Sequence, residues 1–402
     1  MHILVINSGS SSLKYQLFNM PSEKPLCTGL MERIGTTDAF IRHKVLTQEP
    51  VQVIERTEVI ADHAAGLRQM LSLLSNADTG VIRSPDDITA IGHRVVHGGE
   101  QFSQATRITP AVKETIKNLF SLAPLHNPIN YKCIEIAEKT FPKAIQIAVF
   151  DTAFHQTMPE YAFRYAIPES LYRDEGIRAY GFHGTSHKYV SQKAMAWLKK
   201  PNAKLISIHL GNGCSITAVQ NGKSMDTSMG FGPLSGLVMG TRSGDIDPSV
   251  IFQLITNGYS PESVNNLLNK QSGMQGLAGF SDMRDIRKAR DAGDPTALLA
   301  SDLYAYRVKK YIGAYAAILN GLDALIFTAG VGENDSAMRE RICQNLSFLN
   351  IHLDPEKNSL PSNDIRVIST TDSAVKILVI PTNEELEIAQ QSFELLQSEA
   401  VG

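Results

Sequence analysis

Five short segments place arginine, histidine or aspartate among glycine, proline and other small residues, surroundings that are typical of reactive loops. They are GHRVVHGG with Arg94, PLHNP with His126, VFDTAFH with Asp151, GFHGTSH with His183 and GTRSGD with Arg242. Cations at such positions suit phosphoryl transfer, because negative charge spreads over the equatorial oxygens of the migrating group. The segments therefore indicate phosphoryl transfer as a candidate chemistry.

The histidines also form two pairs with the spacing of zinc ligands on a helix. His183 and His187 are four residues apart, as are His93 and His97. The glutamate of the H-E-x-x-H motif is absent from both pairs. A zinc hydrolase is therefore a disfavoured alternative, which bound zinc would reveal.

Two candidate residues have a structural alternative that the sequence leaves open. Arg242 is followed within five residues by two aspartates, and such an arginine often forms only an ion pair inside its loop. Glu384 begins a predicted helix directly after a strand, which makes it a possible metal ligand. In the same segment, Thr382 and Glu385 have the spacing of a capping box, and acids in a first turn favour the helix dipole.

Three glycine-rich loops follow predicted strands and are candidates for holding phosphate. They are NSGSSSLK at 7–14, HLGNGCS at 209–215 and TAGVGEN at 328–334. Glycine lets the backbone approach an anion closely, and its N–H groups donate to it. None of the three is a Walker A or G-x-G-x-x-G motif. Lys14 could reach a phosphate, although a lysine on a strand more often lies on a solvated face.

Length and composition predict a folded protein of two lobes that stays in the cytoplasm. The 402 residues are 43% hydrophobic and 20% charged, with a net charge of -3, which disfavours a disordered chain and a nucleic-acid partner. The four cysteines form no C-x-x-C pair. No apolar run reaches the roughly 18 residues of a membrane helix, and the N-terminus lacks the features of a signal peptide. We therefore expect no membrane partner.

Two β-turn-β units lie about half a chain apart and predict a duplicated α/β fold. MHILVIN, a glycine-serine turn and LKYQLF form the first unit, and KLISIHL, GNG and SITAV form the second. Asn221-Gly222 is typical of a type I′ turn. A long helix is predicted from Asp294-Pro295 to Asn320-Gly321, followed by the strand DALIFTA. The end of a strand at Phe150 suggests a domain boundary there.

In their order along the chain, these segments resemble the acetate kinase family, of the acetate and sugar kinase, Hsp70 and actin superfamily. The resemblance covers VINSGSSSLK, GHRVVHGG, LAPLHNP, AVFDTAFHQTMP, YGFHGTSHKYV, HLGNG, DTSMG, GTRSGDIDP, FTAGVGEN and IPTNEE. It implies a duplicated actin-like (ribonuclease H-like) α/β fold with two lobes and a central cleft, and a homodimer. The implied lobes are an N-terminal one at 1–150, on which 385–402 pack back, and a nucleotide-binding one at 151–384.

The resemblance also implies a role for each matched residue. The reaction would be ATP-dependent phosphorylation of a very short fatty acid, with acetate as the first candidate and Mg²⁺ (or Mn²⁺) near Asn7 and Glu384. Arg94 and Arg242 would hold the carboxylate and the phosphoryl group, and His183, with His126 nearby, would stabilise the transition state. Ser10, Ser12 and Lys14 would line the phosphate side. ATP would contact His209, Leu210, Gly211, Asn212, Gly213, Asp282, Met283, Arg284, Gly330, Val331, Gly332, Glu333 and Asn334.

Asp151 is the proton acceptor or positioning acid implied by the family. A carboxylic acid substrate is already ionised at neutral pH, so no base is needed to activate it. We therefore expect Asp151 to position a neighbour or the metal. The run GLAGFSDMRD is one residue shorter than the family pattern, which bears on the adenosine contacts at 282–284.

The acyl pocket implied by the resemblance comprises Val96, Leu125, Phe182 and Pro233. Valine at 96 favours acetate, whereas a smaller residue there is typical of relatives that prefer propionate. One methylene in such a pocket is worth only about 1–3 kcal/mol, so a propionate or butyrate kinase remains the alternative. A nucleotide-gated binding protein of the same superfamily is a second alternative, but it would leave Arg94, His183 and Arg242 without a purpose.

Overall fold

The computed structural model describes residues 1–401, which divide into two compact units. The first unit comprises Met1–Ala153 and the segment that begins at Asn383, and the second comprises Phe154–Thr382. The predicted lobes, 1–150 with 385–402 and 151–384, remain a prediction as domains that fold independently.

Each unit contains one sheet. The strands of the first unit are β1 (His2–Ser8), β2 (Ser12–Asn19), β3 (Lys24–Glu32), β4 (Ala39–Val45), β5 (Gln52–Glu58), β6 (Ala90–Val95), β7 (Thr106–Arg107) and β8 (Ile145–Phe150). Those of the second unit are β9 (Lys204–Leu210), β10 (Cys214–Gln220), β11 (Lys223–Thr227), β12 (Ala324–Thr328), β13 (Arg366–Val367) and β14 (Lys376–Val379).

Helices surround both sheets. They are α1 (His63–Leu74), α2 (Pro110–Asn118), α3 (Asn127–Thr140), α4 (Glu160–Phe163), α5 (Glu169–Glu175), α6 (Gly184–Leu198), α7 (Pro248–Thr256), α8 (Pro261–Lys270), α9 (Gly273–Ala278), α10 (Met283–Asp291), α11 (Pro295–Ile318), α12 (Ala329–Asn334), α13 (Ser336–Cys343), α14 (Pro355–Ser359) and α15 (Glu384–Val401). Short 3₁₀ turns span Pro85–Asp87, Leu119–Ser121, Ala153–Thr157 and Ser347–Leu349. Within residues 1–401, no helix is long and apolar enough to cross a membrane.

The two sheets repeat one arrangement of strands. In the first, β1 pairs antiparallel with β2, β2 with β3, and β1 pairs parallel with β6, which pairs parallel with β8. In the second, β9, β10, β11, β12 and β14 take the same places with the same directions. The predicted α/β class and duplication are therefore confirmed. In both sheets, loops that follow the central strands carry the candidate residues.

Strand β1 is central in the first sheet because its side chains are buried on both faces. Ile3, Leu4, Val5 and Ile6 are almost inaccessible to solvent, as expected of a strand with neighbours on both sides and helices on both faces. Helix α15 packs on the sheet at Gly92, where a Cβ would lie 2.7 Å from the Cγ2 of Ile388. This close approach fixes the start of α15 near the ends of β1 and β6.

In the second unit, local signals predicted several elements correctly. Asn221 and Gly222 both have positive φ, 54° and 73°, as a type I′ turn between β10 and β11 requires. Asp294 caps α11 by accepting hydrogen bonds from the N–H groups of Thr296 and Ala297. The predicted strand that follows is β12.

Candidate active site

In the first unit, a buried ion pair joins the ends of β6 and β8. The guanidinium of Arg94 donates to Asp151 through Nε, at 3.1 and 3.0 Å from Oδ1 and Oδ2, and through Nη2, at 2.5 Å from Oδ2. The Asp151 side chain is 1% exposed and that of Arg94 is 24% exposed. Burial opposes the charge on Arg94, but Asp151 beside it raises the arginine pKa above its usual value. Because Nε and Nη2 both donate to one carboxylate, the pair fixes the direction of the guanidinium.

Asn7 and Glu384, the predicted metal ligands, belong to the same group of side chains. Asn7, in β1, accepts a hydrogen bond on Oδ1 from Nη1 of Arg94 at 3.2 Å. Glu384 is the first residue of α15, and burial raises its pKa to about 7, against the opposing effect of Arg94. Asp151 raises that pKa further. A carboxyl group that holds a proton so firmly is one whose charge a cation would stabilise.

These oxygens fit a magnesium ion that is partly held by its substrate. Within residues 1–401, no cluster of three or more His, Cys, Asp or Glu side chains could hold a metal. Mg²⁺ is commonly bound by one or two carboxylates, with water and substrate phosphates as the remaining ligands. Asn7 and Glu384 match that pattern, whereas they would be too few for a structural metal cage.

Lys14 and Glu385 form an ion pair that corrects one interpretation of the sequence. The Nζ of Lys14 lies 2.7 Å from Oε1 of Glu385, and the lysine side chain remains 49% exposed. The helix is capped by Asn383, whose Oδ1 accepts from the N–H of Leu386 at 3.0 Å. The proposed capping box of Thr382 and Glu385 is therefore wrong. Ser10 is exposed and Ser12 half-buried in the turn before Lys14.

The predicted acyl residues of the first unit lie after β6 and before α3. Val96 is 7% exposed, and its N–H donates to Oδ1 of Asn130 at 3.2 Å. Leu125 is 69% exposed, and His126 is the exposed N-cap residue of α3. Of these residues, only Val96 is fixed by the core, so it has the best-defined position.

In the second unit, two histidines and two serines contact one another around the start of α6. His183 has a left-handed backbone, with φ of 56°, and Nδ1 of its ring lies 2.9 Å from Oγ of Ser215. The ring stacks on that of His209 with the centroids 4.2 Å apart. His209 in turn bonds through Nδ1 to Oγ of Ser186 at 2.8 Å. The predicted catalytic His183 is therefore held on two sides.

Arg242 and His183 face the same point above Gly213. A Cβ built on Gly213 would lie 2.7 Å from Nη2 of Arg242 and 3.4 Å from Nε2 of His183. The space that the missing side chain leaves is therefore bordered by one guanidinium and one imidazole, the two donors expected around a migrating phosphoryl group. Burial lowers the pKa of Arg242, although an arginine remains charged at neutral pH.

The loop that carries Arg242 is fastened by Asp245 and not by an ion pair to Arg242. Oδ1 of Asp245 accepts from the N–H of Gly236 at 2.6 Å, and Oδ2 accepts from the hydroxyl of Tyr311 at 2.6 Å. Asp247 caps α7. Arg242 itself donates to the carbonyl of Pro233 at 2.6 Å and has no salt bridge within the described part of the chain. The alternative of a local ion pair is therefore wrong.

The predicted nucleotide segments line one cavity of about 630 Å³ in the second unit. Its lining residues are Gly211, Asn212, Ser281, Asp282, Met283, Arg284, Arg287, Gly330, Val331, Asn334 and Asp335. Asp282 caps α10 and pairs with Arg284 at 2.6 Å, and these bonds lower its pKa to about 2. All three predicted segments thus meet at a cavity large enough for a nucleotide.

Helix α12, one wall of the cavity, begins at a strained residue. Ala329 has a φ of 64°, a value that residues other than glycine rarely adopt. Oε1 of Glu333 accepts from the N–H of Ala329 at 2.8 Å and from that of Thr382 at 3.0 Å. Oε1 of Glu333 therefore holds the backbone of the loop and is not available to bind a ligand.

Comparison with known sequences identifies the family. Residues 2–390 match the model of the acetokinase family. The chain belongs to this family. It is 53% identical over 399 residues to the acetate kinase of Flavobacterium johnsoniae, with 99% of this chain and 100% of the relative covered. It is 49% identical over 403 residues to that of Methanosarcina acetivorans, with 99% and 98% covered.

Solved structures agree with this assignment. Porphyromonas gingivalis acetate kinase matches with a TM-score of 0.92 and 43% identity, covering 98% of this chain and 99% of that one. A propionate kinase from Francisella tularensis matches with a TM-score of 0.90 and 45% identity, covering 97% and 98%. This acetokinase is therefore a phosphotransferase that acts on a carboxyl group.

Sequence reasoning missed several residues that the acetokinase places at the candidate site. Arg287 lines the cavity one helical turn after Arg284, a signal that was visible as a basic i, i+3 pair. Ser207 bonds His187 and Ser215 bonds His183. Ser215 ends the glycine-rich segment 209–215, but nothing in the sequence marks either serine as the partner of a histidine. Glu385 was read only as a capping residue although it stands beside Glu384.

Proposed function

We propose that this acetokinase transfers the γ-phosphoryl group of ATP to the carboxylate of acetate, reversibly and in line, to give acetyl phosphate. The observation that carries the proposal is the convergence of Arg242 and His183 on the space above Gly213. Gly211 and Asn212 of the same turn line the nucleotide cavity. A phosphoryl group leaving a nucleotide in that cavity would thus meet two donors at once.

Charge and geometry suggest a division of work between the arginines. Arg94 would hold the acyl carboxylate, because Asp151 fixes its guanidinium through Nε and Nη2. Arg242 and His183 would donate to the equatorial oxygens of the phosphoryl group, whose charge they stabilise in the transition state. Acetate is already ionised, so Asp151 needs to accept no proton.

Asn7 and Glu384 would hold Mg²⁺ (or Mn²⁺), which when bound neutralises charge on the nucleotide phosphates. The raised pKa of Glu384 and the oxygen donors beside it support this assignment. Lys14, whose half-exposed side chain is oriented by its pair with Glu385, would present its ammonium to a phosphate. Ser10 and Ser12 would donate from the preceding turn, and His126 from the start of α3.

Acetate is proposed over propionate because Val96 is a buried β-branched residue whose backbone is tied to Asn130. A larger acyl group would need Val96 to move. The 45% identity to a propionate kinase keeps propionate as the second candidate. Leu125, Phe182 and Pro233 would complete the pocket. Val96→Ala should raise the relative kcat/KM for propionate by roughly tenfold.

The test is acyl phosphate formation from ATP and Mg²⁺, trapped with hydroxylamine, with acetate, propionate and butyrate compared at equal concentrations. We expect acetate to have the highest kcat/KM and product to be lost in Arg242→Ala. Propionate ahead of acetate would move the assignment to the second candidate. Absence of product with every acid would contradict the proposal.

We also propose a cytoplasmic homodimer. All four cysteines are free and buried, as expected in a reducing compartment. Helix α7 and the turn after it expose apolar side chains: Val250, Phe252, Ile255 and Tyr259 are 41–68% exposed. Such a patch commonly marks an interface. Analytical ultracentrifugation should show a dimer that Phe252→Glu weakens, whereas a wild-type monomer would contradict it.

A further inference from the structure

A continuous line of hydrogen bonds runs from the interior of the second sheet to the ring of His183. Nδ1 of His187 lies 2.8 Å from Oγ of Ser207, and Nε2 of the same ring lies 2.7 Å from Oγ of Ser215. The Ser215 hydroxyl is also 2.9 Å from Nδ1 of His183. Ser207, His187 and Ser215 are fully buried. The line therefore has an interior end at Ser207 and a functional end at His183.

The interior end fixes the direction of every bond in this line. A serine hydroxyl has one hydrogen to donate. Among the described residues, Oγ of Ser207 has one side-chain hydrogen bond, that to Nδ1 of His187. If Ser207 accepted there, its own hydrogen would be buried without an acceptor, a loss of about 1–3 kcal/mol. Ser207 therefore donates to Nδ1, which leaves the proton of neutral His187 on Nε2.

The direction continues to the functional end. Nε2–H of His187 donates to Oγ of Ser215, so the Ser215 hydrogen points to Nδ1 of His183. With Nδ1 acting as an acceptor, neutral His183 must carry its proton on Nε2. Nε2 and the adjacent Cε1 both lie 3.4 Å from the position of a Cβ on Gly213, so the Nε2 edge of the ring borders the space that Arg242 also borders.

We propose that Ser207, His187 and Ser215 are positioning residues that keep His183 neutral with its proton on Nε2, as a donor to the migrating phosphoryl group. The inference rests on the proposed function of His183 and deepens it. A proton on Nδ1 of His183 would donate to Oγ of Ser215, and one serine hydrogen of the line would then have no acceptor: that of Ser215, or that of Ser207 if the other two bonds reversed. The other tautomer would present a bare nitrogen to anionic oxygens.

The surroundings of His187 agree with a neutral ring. Burial lowers its pKa well below the usual value, and the rings of His155 and His209 nearby lower it further. Those rings lie with their centroids 5.9 and 6.1 Å away. The guanidinium of Arg242 faces the same space as Nε2 of His183.

The first experiment is a ¹⁵N spectrum of the full-length wild-type protein with labelled histidines at about pH 8. Signals are assigned by their loss in His183→Gln and His187→Gln. We expect both rings to show a protonated Nε2 and a bare Nδ1. A protonated Nδ1 on either ring overturns the proposal. The spectrum does not depend on turnover, so it tests the tautomer even if the acid substrate differs from acetate.

The second experiment compares two buried serines of the second unit. Ser207→Ala removes the donor at the interior end, whereas Ser191→Ala, in α6, removes a buried hydroxyl that bonds no group of the described structure. For Ser207→Ala we expect kcat to fall roughly tenfold with little change in KM, and Nδ1–H to appear on His183. Ser191→Ala should change neither. Equal losses of kcat in the two variants, or an unchanged His183 spectrum in Ser207→Ala, would overturn the proposal.

Discussion

The two units hold their candidate residues by different physical means. In the first, Arg94, Asp151, Lys14 and Glu385 form ion pairs, so the side chains are oriented by opposite charges. In the second, His183 is oriented by neutral hydrogen bonds and by stacking, and Arg242 donates to a backbone carbonyl. Removal of one partner from a buried ion pair is strongly destabilising, whereas an arginine that lacks a counter-ion is available for an anionic ligand.

This difference assigns a different mutational signature to each arginine. Arg94 should matter for both folding and activity, because its removal strands a buried carboxylate. Arg242 should matter chiefly for activity. The strained backbone positions show the same contrast: His183 and Ala329 have positive φ in the second unit, whereas Asn7, Arg94 and Asp151 have ordinary conformations.

The largest expected effect is that of Arg94→Ala. It leaves Asp151, 1% exposed, without its counter-ion, so the free energy of unfolding should fall by about 3–5 kcal/mol. Acyl phosphate formation should fall by about 10³-fold or more. Arg242→Ala should lose activity to a similar extent but only about 1 kcal/mol of stability. Urea unfolding, followed by circular dichroism, measures the loss of stability in both variants.

A double variant separates the two effects of Arg94. Arg94→Ala with Asp151→Ala removes the stranded charge, so stability should recover in part while activity does not. Equal losses of stability in Arg94→Ala and Arg242→Ala would contradict the proposed contrast between the units.

The second prediction concerns the space above Gly213. Gly213→Ala places a Cβ 2.7 Å from Nη2 of Arg242, so the guanidinium must move. A displacement of this size should lower kcat by about 10²-fold with little change in melting temperature. Gly313→Ala, where a Cβ meets no atom within 4 Å, is the matched control. Normal activity in Gly213→Ala would show that the position of Arg242 is unimportant.

The third prediction compares the buried Asp151 with the partly buried Asp226. Asp151 has an arginine, whereas Asp226 in β11 accepts from the N–H of Thr227 at 2.6 Å and has no salt bridge within residues 1–401. Burial raises the pKa of Asp226 to about 6 from 3.8. The folded state thus binds a proton that the unfolded state releases, and stability is lost as the pH rises through this range.

Asp226→Asn should remove this dependence. At about pH 8 the variant should be more stable than wild type, on the order of 2 kcal/mol, because Asn keeps the acceptor for Thr227 and carries no charge. The difference should disappear toward pH 4. Melting temperatures across this range measure it. A variant that is less stable at every pH would show that the carboxylate is compensated.

Much of the fold was predictable because it depends on local pattern. Neighbouring residues determine the glycine turns after β1 and β9, the type I′ turn at Asn221 and the start of α15 at Glu384. The pairing of Arg94 with Asp151 was not, because 57 residues separate them. For Thr382 and Glu385, the local pattern predicted the wrong contact. Their spacing matched a capping box, but Glu385 forms an ion pair with Lys14, which is distant in the sequence.

The smallest expected effect tests the strained start of α12. Ala329 has a φ of 64°, which costs a non-glycine residue about 1 kcal/mol, so Ala329→Gly should raise stability by somewhat less than this amount. Lys199→Gly, at φ of 53° where α6 ends, is the matched control and should give a similar gain. Because Glu333 still accepts from the backbone N–H of residue 329, the loop should keep its conformation, and KM for ATP should not change. Thermal unfolding and initial rates measure both quantities. A rise in KM for ATP in Ala329→Gly that is absent from Lys199→Gly would mean that the strained alanine itself keeps the loop in place. The second unit would then order its site by backbone strain as well as by neutral hydrogen bonds.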